Sequence, residues 1–450
     1  MSDKPTAAEA GEAVLPDGPI LTGPAERTSF TPGYTRFILV MLTLVYVVNY
    51  LDRQILGILS KQIKAEFHLT GADIGILNGP AFALLYAILG VPLALLADRI
   101  NRRNLIAASM ALFSIMTVLS GYAASYLHLL LARIGTGVGE AGTGPAINST
   151  IADLYPPEKR AAALSFYTAG LNVGLLIAFF SGGWIAEHYG WRQAFWAAGI
   201  PGLLLAVMLV LTVREPRRGM VEKLQDKTGA QSLSSVARLL WSQRSFRWLA
   251  VGAGLNSFGG YAGITFIPLF LYYSHGLKES QIGLVLSVLT GFFGAIGTYL
   301  AGVFADRYGA RDIRWNLYIP IVAVFIAIPF APVFYLTGNI AIALGAAVVP
   351  SLMGAAYVGP AYAITQRLVP LRMRATAVAL FLFVLNLIGY GLGPPVIGYI
   401  ADLLEPVYGK NLAFGHAMLF GIITGTLGAA CYWRATRTLK DDVAKADALQ

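Results

Sequence analysis

The stretch NYLDRQ, residues 49–54, follows ILVMLTLVYVV without a break, so two opposite charges, Asp52 and Arg53, stand about eighteen residues into a strongly apolar run. A second pair, Arg133 and Glu140, lies in LLLARIGTGVGEAGTGPA. Its spacing of seven residues (140 − 133) is close to two helical turns and puts both side chains on one helix face. A charge at the centre of a spanning helix costs on the order of 3 kcal/mol on insertion scales. Four isolated charges would therefore disfavour insertion strongly, and these must pair or face water. Two acids beside two permanent cations could take up and release protons, because a carboxyl's affinity for a proton rises on desolvation and falls when a cation approaches. The cations could hold an anionic group or move between the carboxylates. Adjacent helical residues point about 100° apart, so Asp52 and Arg53 cannot make the same contact: one faces the helix of Arg133 and Glu140, the other a cavity.

The elements that must position these groups are transmembrane helices. The chain has 450 residues, of which 56% are hydrophobic and 13% charged, about half the charge of an average soluble domain. Apolar runs long enough to cross a ~30 Å hydrocarbon core fall near 35–59, 72–97, 104–125, 127–153, 159–186, 191–213, 246–274, 281–305, 313–335, 339–367, 373–401 and 411–433. Residues 1–33 lack a signal-peptide core and read as a disordered cytoplasmic tail. About 26 of the 33 Lys and Arg residues fall on the side of the termini if both termini are cytoplasmic, which is the positive-inside bias. It accounts for the net charge of +9 without a nucleic-acid partner. The five His residues are dispersed at predicted outer ends, and the single Cys431 supports neither an intrachain disulfide nor a cysteine-rich metal site, so no metal or other cofactor is expected. No nucleotide-binding loop or nucleophile elbow appears, and the glycines around Arg133 belong to a membrane helix, so an enzyme is not expected and a gradient must supply any energy.

The second half repeats the first. LADRINRR with Asp98 and Arg99 matches FADRYGAR with Asp306 and Arg307 at an offset of 208, and GEAGTGPA (139–146) matches GAAYVGPA (354–361) at 215. LYPPEKRAAAL (154–164) matches LVPLRMRATAV (368–378) at 214, and Asn172 matches Asn386 at the same offset. The fold class is thus an all-α membrane protein, twelve transmembrane helices in two pseudo-symmetric six-helix bundles at 34–213 and 246–435. Between them, 214–245 is a basic cytoplasmic linker whose SLSSVARLLW segment reads either as an amphipathic helix on the membrane surface or as solvated chain, and 436–450 is a cytoplasmic C-terminal tail. GPA in helix four (144–146), GPA in helix ten (359–361) and GLGPP in helix eleven (391–395) are sites where proline removes a helical hydrogen bond, marking either gating bends or static kinks.

Two G-x-x-x-D-R-x-G-R-[RK]-like loops, one per half, resemble the signature of the major facilitator superfamily. The second keeps Gly302 and Gly309 with Arg311; the first has Ala94 and Asn101 there, followed by Arg102 and Arg103. The resemblance implies a substrate site between the halves near the bilayer midplane, lined by helices one, four, seven and ten. It also implies a cytoplasmic latch, in which Asp98 and Arg102, with Arg99, Asp306 and Arg307 in the same loops, help hold one face closed. The alternative is that these loops serve topology alone. NYLDRQ and RIGTGVGEAGTGPAINSTIADLYPPEKRAAALSFYTAGLNVG resemble the Spinster branch, whose members move sphingosine-1-phosphate or lysophospholipids, in some cases with protons.

By position, the resemblance makes Asp52 and Glu140 protonation sites and Arg53 and Arg133 their switching or head-group partners. In the competing reading Asp52 and Arg133 form a structural pair and Glu140 is satisfied by hydroxyls such as Thr143. Helices seven and eight, LNSFGGYAGITFIPLFLYY and GFFGAIGTY, are apolar and aromatic, so one wall is charged and the other greasy. That suits an amphipathic, lipid-like substrate in a monomer surrounded by membrane lipids of a bacterial plasma membrane. Similar N-Y-x-D-R and R-x-G-x-G-V-G-E-A patterns occur in organic-anion symporters for hexuronates or aromatic acids, for which Asn256, Tyr261, Tyr357 and Tyr362 would supply hydrogen bonds. A non-transporting receptor on the same fold is a further alternative.

Overall fold

The computed structural model describes residues 30–97, 99–218, 233–370 and 373–448, and these are helical nearly throughout. The first half holds α1 (Pro32–Glu66), α2 (Gly71–Asn78), α3 (Pro80–Ala97), α4 (Arg102–Gly121), α5 (Tyr126–Glu140), α6 (Thr143–Leu154), α7 (Pro157–Tyr189) and α8 (Trp191–Thr212). α2 with α3, and α5 with α6, are broken single crossings, so eight helices make six spans. After the linker helix α9 (Leu233–Ser242), the second half repeats the plan with α10 (Arg244–His275), α11 (Glu279–Leu286), a π-helical segment Ser287–Phe293, α12 (Gly294–Gly309), α13 (Trp315–Ala327), α14 (Phe330–Leu336), α15 (Ile340–Met353), α16 (Val358–Arg367), α17 (Arg374–Met418) and α18 (Phe420–Thr436). α17 carries the eleventh span and, past Gly409 with φ 69°, turns into the twelfth. α19 (Leu439–Asp447) closes the described chain.

Local chemistry explains where these helices begin and break. Thr31 accepts the Tyr34 N–H at the start of α1, and Thr70 and Asp73 form a reciprocal capping box on α2. Asn101, the departure from glycine in the first DR loop, caps α4 by accepting the Asn104 N–H at 3.0 Å. In spans four and ten the helix is interrupted just before each GPA, and Pro145 and Pro360 sit in the first turn of the following segment, where a missing N–H costs least. Pro394 and Pro395 instead lie well inside α17, before its turn at Gly409, with no break at the prolines. The π-helical stretch of span eight has no counterpart in our sequence reading.

Hydrophobicity is inverted relative to a soluble protein. Leu204, Leu211, Tyr299, Val322 and Leu403 are exposed on the outside, as a bilayer requires, while the charges of spans one and four are buried. Within the first half α1 packs on α7 and α4 on α8; in the second, α10 packs on α17 and α18. The halves meet through α7 with α11, α2 and α3 with α17, and α1 with α10. The hydrogen bonds and ion pairs that join them gather at the end remote from both termini, including Lys61–Glu279 at 2.8 Å. Of the expected tail 1–33, residues 1–29 lie outside the described residues while Pro32 and Gly33 already open α1; of the linker 214–245, residues 219–232 lie outside them. The described part of the linker includes α9, whose Val236 and Leu240 are buried with Phe246, Leu249, Leu439 and Val443, so its apolar side packs on the second half and on α19.

Candidate functional site

At mid-depth α1 brings Asn49, Asp52 and Arg53 against α5, which brings Arg133 and Glu140. Asp52, Arg53, Arg133 and Glu140 are 0%, 8%, 1% and 3% exposed, so all four charges are sealed from bulk solvent. The ion pair joins Arg53 to Glu140. Arg133 donates to the Asp52 backbone carbonyl at 3.3 Å rather than to its carboxylate. The Asp52–Arg133 side-chain pair of the competing reading therefore forms no salt bridge among the described residues, and the ion pair of the cluster is Arg53–Glu140. The reason is angular: the 100° step between neighbours turns Arg53 towards the acid of α5 and leaves Asp52 beside Thr117 of α4 and Arg133. Thr143 does not satisfy the Glu140 carboxylate either; it donates to the Glu140 backbone carbonyl at 2.8 Å and accepts from Asn49 at 2.9 Å, tying α1 to the break between α5 and α6.

Several polar atoms of this cluster make no hydrogen bond among the described residues: both carboxylate oxygens of Asp52, Oε2 of Glu140, and Nε and Nη2 of Arg133. Buried polar atoms without protein partners are rare in folded proteins, and a cluster of them on four neighbouring charges calls for an explanation. Around the charges stands an aromatic box. The Arg53 guanidinium lies 4.7 Å from the Phe82 ring centre, 5.0 Å from Tyr50 and 5.1 Å from Tyr86, and Arg133 lies 5.8 Å from Phe82. Phe82 meets Tyr390 of the second half edge to face at 5.5 Å, and Tyr390 meets Tyr261 at 4.4 Å. Such faces favour cations and connect the charged wall to the aromatic one.

Of the residues expected on the second wall, Tyr261 joins this box and approaches Asn386 Oδ1 at 3.4 Å. Asn256 turns to span twelve, where a Cβ on Gly428 would meet its Oδ1 at 3.3 Å, and does not approach the charges. Tyr357 lies beside Ser257, and Tyr362 meets Phe381 at 5.8 Å, both in the core of the second half. Phe82, Tyr86 and Tyr390 escaped the sequence reading, which sought the cavity on spans one, four, seven, eight and ten. Their signal was aromatic residues beside glycine in NGPAFALLY and IGYGLGPP.

In the DR loops the geometry departs from the expected latch. Arg102 is buried and bonds within its own half, to Asp153, to Glu215 at 2.8 Å and to Ser149 at 2.9 Å. Arg99, Asp306 and Arg307 are exposed, and Asp98 lies outside the described residues. The physical reason is that the halves meet at the opposite end, so Arg102 takes the carboxylates of its own bundle.

Two repeated six-helix bundles, closed on each other at one end with charges sealed at mid-depth, define a multi-pass membrane carrier of the two-bundle type. The chain belongs to the Major Facilitator Superfamily, whose pattern matches residues 42–394. It is 32% identical over 406 residues to an MFS-type efflux pump of Mycolicibacterium smegmatis, covering 90% of this chain and 93% of that one. It is 28% identical over 302 residues to the cis,cis-muconate transport protein of Acinetobacter baylyi (63% and 70%), and 25% over 438 residues to the sphingosine-1-phosphate transporter SPNS2 of Xenopus tropicalis (91% and 83%). Among solved structures it superimposes with a TM-score of 0.85 and 31% identity on a bacterial homologue of the human lysosomal transporter Spinster, in an inward-facing, unoccupied conformation, covering 92% of this chain and 99% of that one. These are transporters, not enzymes.

Proposed function

We propose that the protein is a proton-coupled, alternating-access transporter of an amphipathic, lipid-like molecule. The observation that carries the coupling is the inequality of the two acids. Glu140 holds one bond to Arg53 and has a free oxygen, while Asp52 is fully buried with neither oxygen hydrogen-bonded among the described residues. A group that must bind and release a proton needs a partner it can lose, and Arg53 with Arg133 offers Glu140 and Asp52 that exchange. The incompletely bonded Arg133 supplies the charge for an anionic head group, and the aromatic box with Tyr261 and Tyr390 supplies the face for an alkyl or sphingoid portion.

The likeness to Spinster-type proteins supports a lipid-like substrate, and the likeness to an efflux pump supports export. With the termini on the cytoplasmic side of a plasma membrane, as the positive-inside bias suggests, this conformation is open inward, and Asp98 and Arg102 form their latch to the second half only in the opposite state. The protein acts as a monomer in this reading. Liposomes loaded with a pH-sensitive dye test it. Adding a lysophospholipid should drive proton flux in the parent, and Asp52→Asn and Glu140→Gln should abolish it; flux undiminished in both variants overturns the coupling. A hexuronate or muconate driving the flux instead overturns the lipid assignment.

A further inference from the structure

The end remote from the termini is closed by contacts that obey the same internal repeat as the sequence. At the start of α2, the Gly71 and Ala72 N–H groups donate to the two carboxylate oxygens of Asp402 in α17, at 2.6 and 2.8 Å. At the start of α11, the Ser280 N–H donates to Glu187 of α7 at 3.1 Å. Each bond crosses between the halves, in opposite senses. Ala72 and Ser280 differ by 208 residues, the offset of the two DR loops, and Glu187 and Asp402 differ by 215, within WIAE (184–187) and YIAD (399–402).

The backbone contacts beneath them follow the same two offsets. A Cβ on Gly398 would lie 2.2 Å from the Gly71 carbonyl oxygen, and one on Gly183 would lie 2.4 Å from the Glu279 carbonyl oxygen. One turn deeper, a Cβ on Gly75 would lie 2.4 Å from the Pro394 carbonyl oxygen, and one on Gly283 would lie 2.2 Å from that of Phe179. Glycine is thus required at all four places for the helices to approach. Each carboxylate then lands at the amide end of a helix, where unpaired N–H groups and the helix dipole favour a negative charge.

We propose that Asp402 and Glu187 are a duplicated pair of gate residues for the transport cycle. Each half lends one carboxylate to the other's helix end, and the three bonds hold this side shut until the cycle opens it. The two latches are unequal: Asp402 uses both oxygens on two amides, whereas Glu187 uses one and shares its other with Lys278 at 3.6 Å. The proposal does not depend on which substrate is carried or on proton coupling.

The test is a distance measurement without substrate. The protein, with Cys431→Ser, Ala124→Cys and Asn411→Cys, is spin-labelled in nanodiscs, and dipolar spectroscopy gives the distance between the halves across this face. Asp402→Asn, which leaves one acceptor where two amides need two, should raise the ratio of open to closed populations between about threefold and thirtyfold. Glu187→Gln, which keeps its one acceptor, should raise it less, and the double variant by the product of the two factors. Glu66→Gln, whose partners Trp191 and Arg192 lie in its own half at 2.7 and 2.8 Å, should leave the distribution unchanged. Parent-like distances in both Asp402→Asn and the double variant, or a shift towards closure, overturn the proposal. Glu187→Gln alone decides the second latch should Asp402→Asn fail to fold, since it leaves α17 untouched. Proton flux undiminished in Asp52→Asn and Glu140→Gln, with these distances shifted as expected, would overturn the proposed coupling and not the gate.

Discussion

Replacing Arg53 by Met leaves Glu140 3% exposed, with its one side-chain partner gone. Breaking a buried ion pair from one side costs about 3–5 kcal/mol, because the remaining charge has lost its compensation. Glu140→Gln is less damaging, because the Arg53 guanidinium keeps three aromatic faces, each worth up to about 2 kcal/mol when desolvated. The double variant carries neither charge and escapes two insertion penalties of about 3 kcal/mol each, so its stability should return near the parent's. The interaction energy of the cycle is then at least about 2 kcal/mol, well beyond the roughly 0.5 kcal/mol within which independent sites add. Reversible unfolding in mixed micelles by titrated dodecyl sulfate, followed by tryptophan fluorescence, measures all four proteins. Additivity of the two single changes, or a double variant less stable than Arg53→Met, would refute the pairing.

Two further expectations concern the face that carries the termini. Asp442, buried in α19, accepts from the Ser245 N–H at 2.9 Å and from its hydroxyl at 2.7 Å, capping α10; Asp442→Ala should cost about 1–2 kcal/mol and speed hydrogen exchange in α19 and the first turn of α10. Asp312, in the loop after α12, is held well below the usual carboxylate range, first by its hydrogen bonds from the Arg314 side chain and backbone and then by Lys440 at 2.9 Å. Its folded affinity for protons is depressed, so its stabilising contribution is present at neutral pH and is lost only as pH falls through and below the ordinary aspartate range. Protection of α19, taken as its exchange relative to the intrinsic rate at each pH, should therefore stay flat from pH 7 to about 5, with Asp312→Asn less protected throughout that range by no more than the ~1 kcal/mol of an exposed pair. A parent indistinguishable from Asp312→Asn would contradict the docking of Lys440.

The twelve-span architecture was legible because each crossing needs its own apolar run and the two halves repeat. The four charges were legible for the converse reason, standing where charges are expensive. Their pairing was not, since whether residue 52 or 53 meets α5 depends on the rotation of α1, which no periodicity of an all-apolar helix reports. Phe82 and Tyr86 were missed because in a bilayer the lipid-facing and cavity-facing sides of a helix are both apolar. In the proposed cycle the contact of Arg102 would depend on which end of the carrier is closed, which a sequence that must serve both states does not reveal. That Asn256 faces span twelve, near Gly425 and Gly428, was not legible either, because it depends on how the helices of the second half pack.

The box of Tyr50, Phe82 and Tyr86 around Arg53 bears on which part of the switch travels. An arginine held only by a carboxylate would be set adrift each time that carboxylate became neutral. Here three rings house the guanidinium independently of Glu140, so under the proposed coupling the cation would act as a fixed post and the proton as the traveller. A carrier built this way can discharge and recharge its acid many times over without unpacking its first helix.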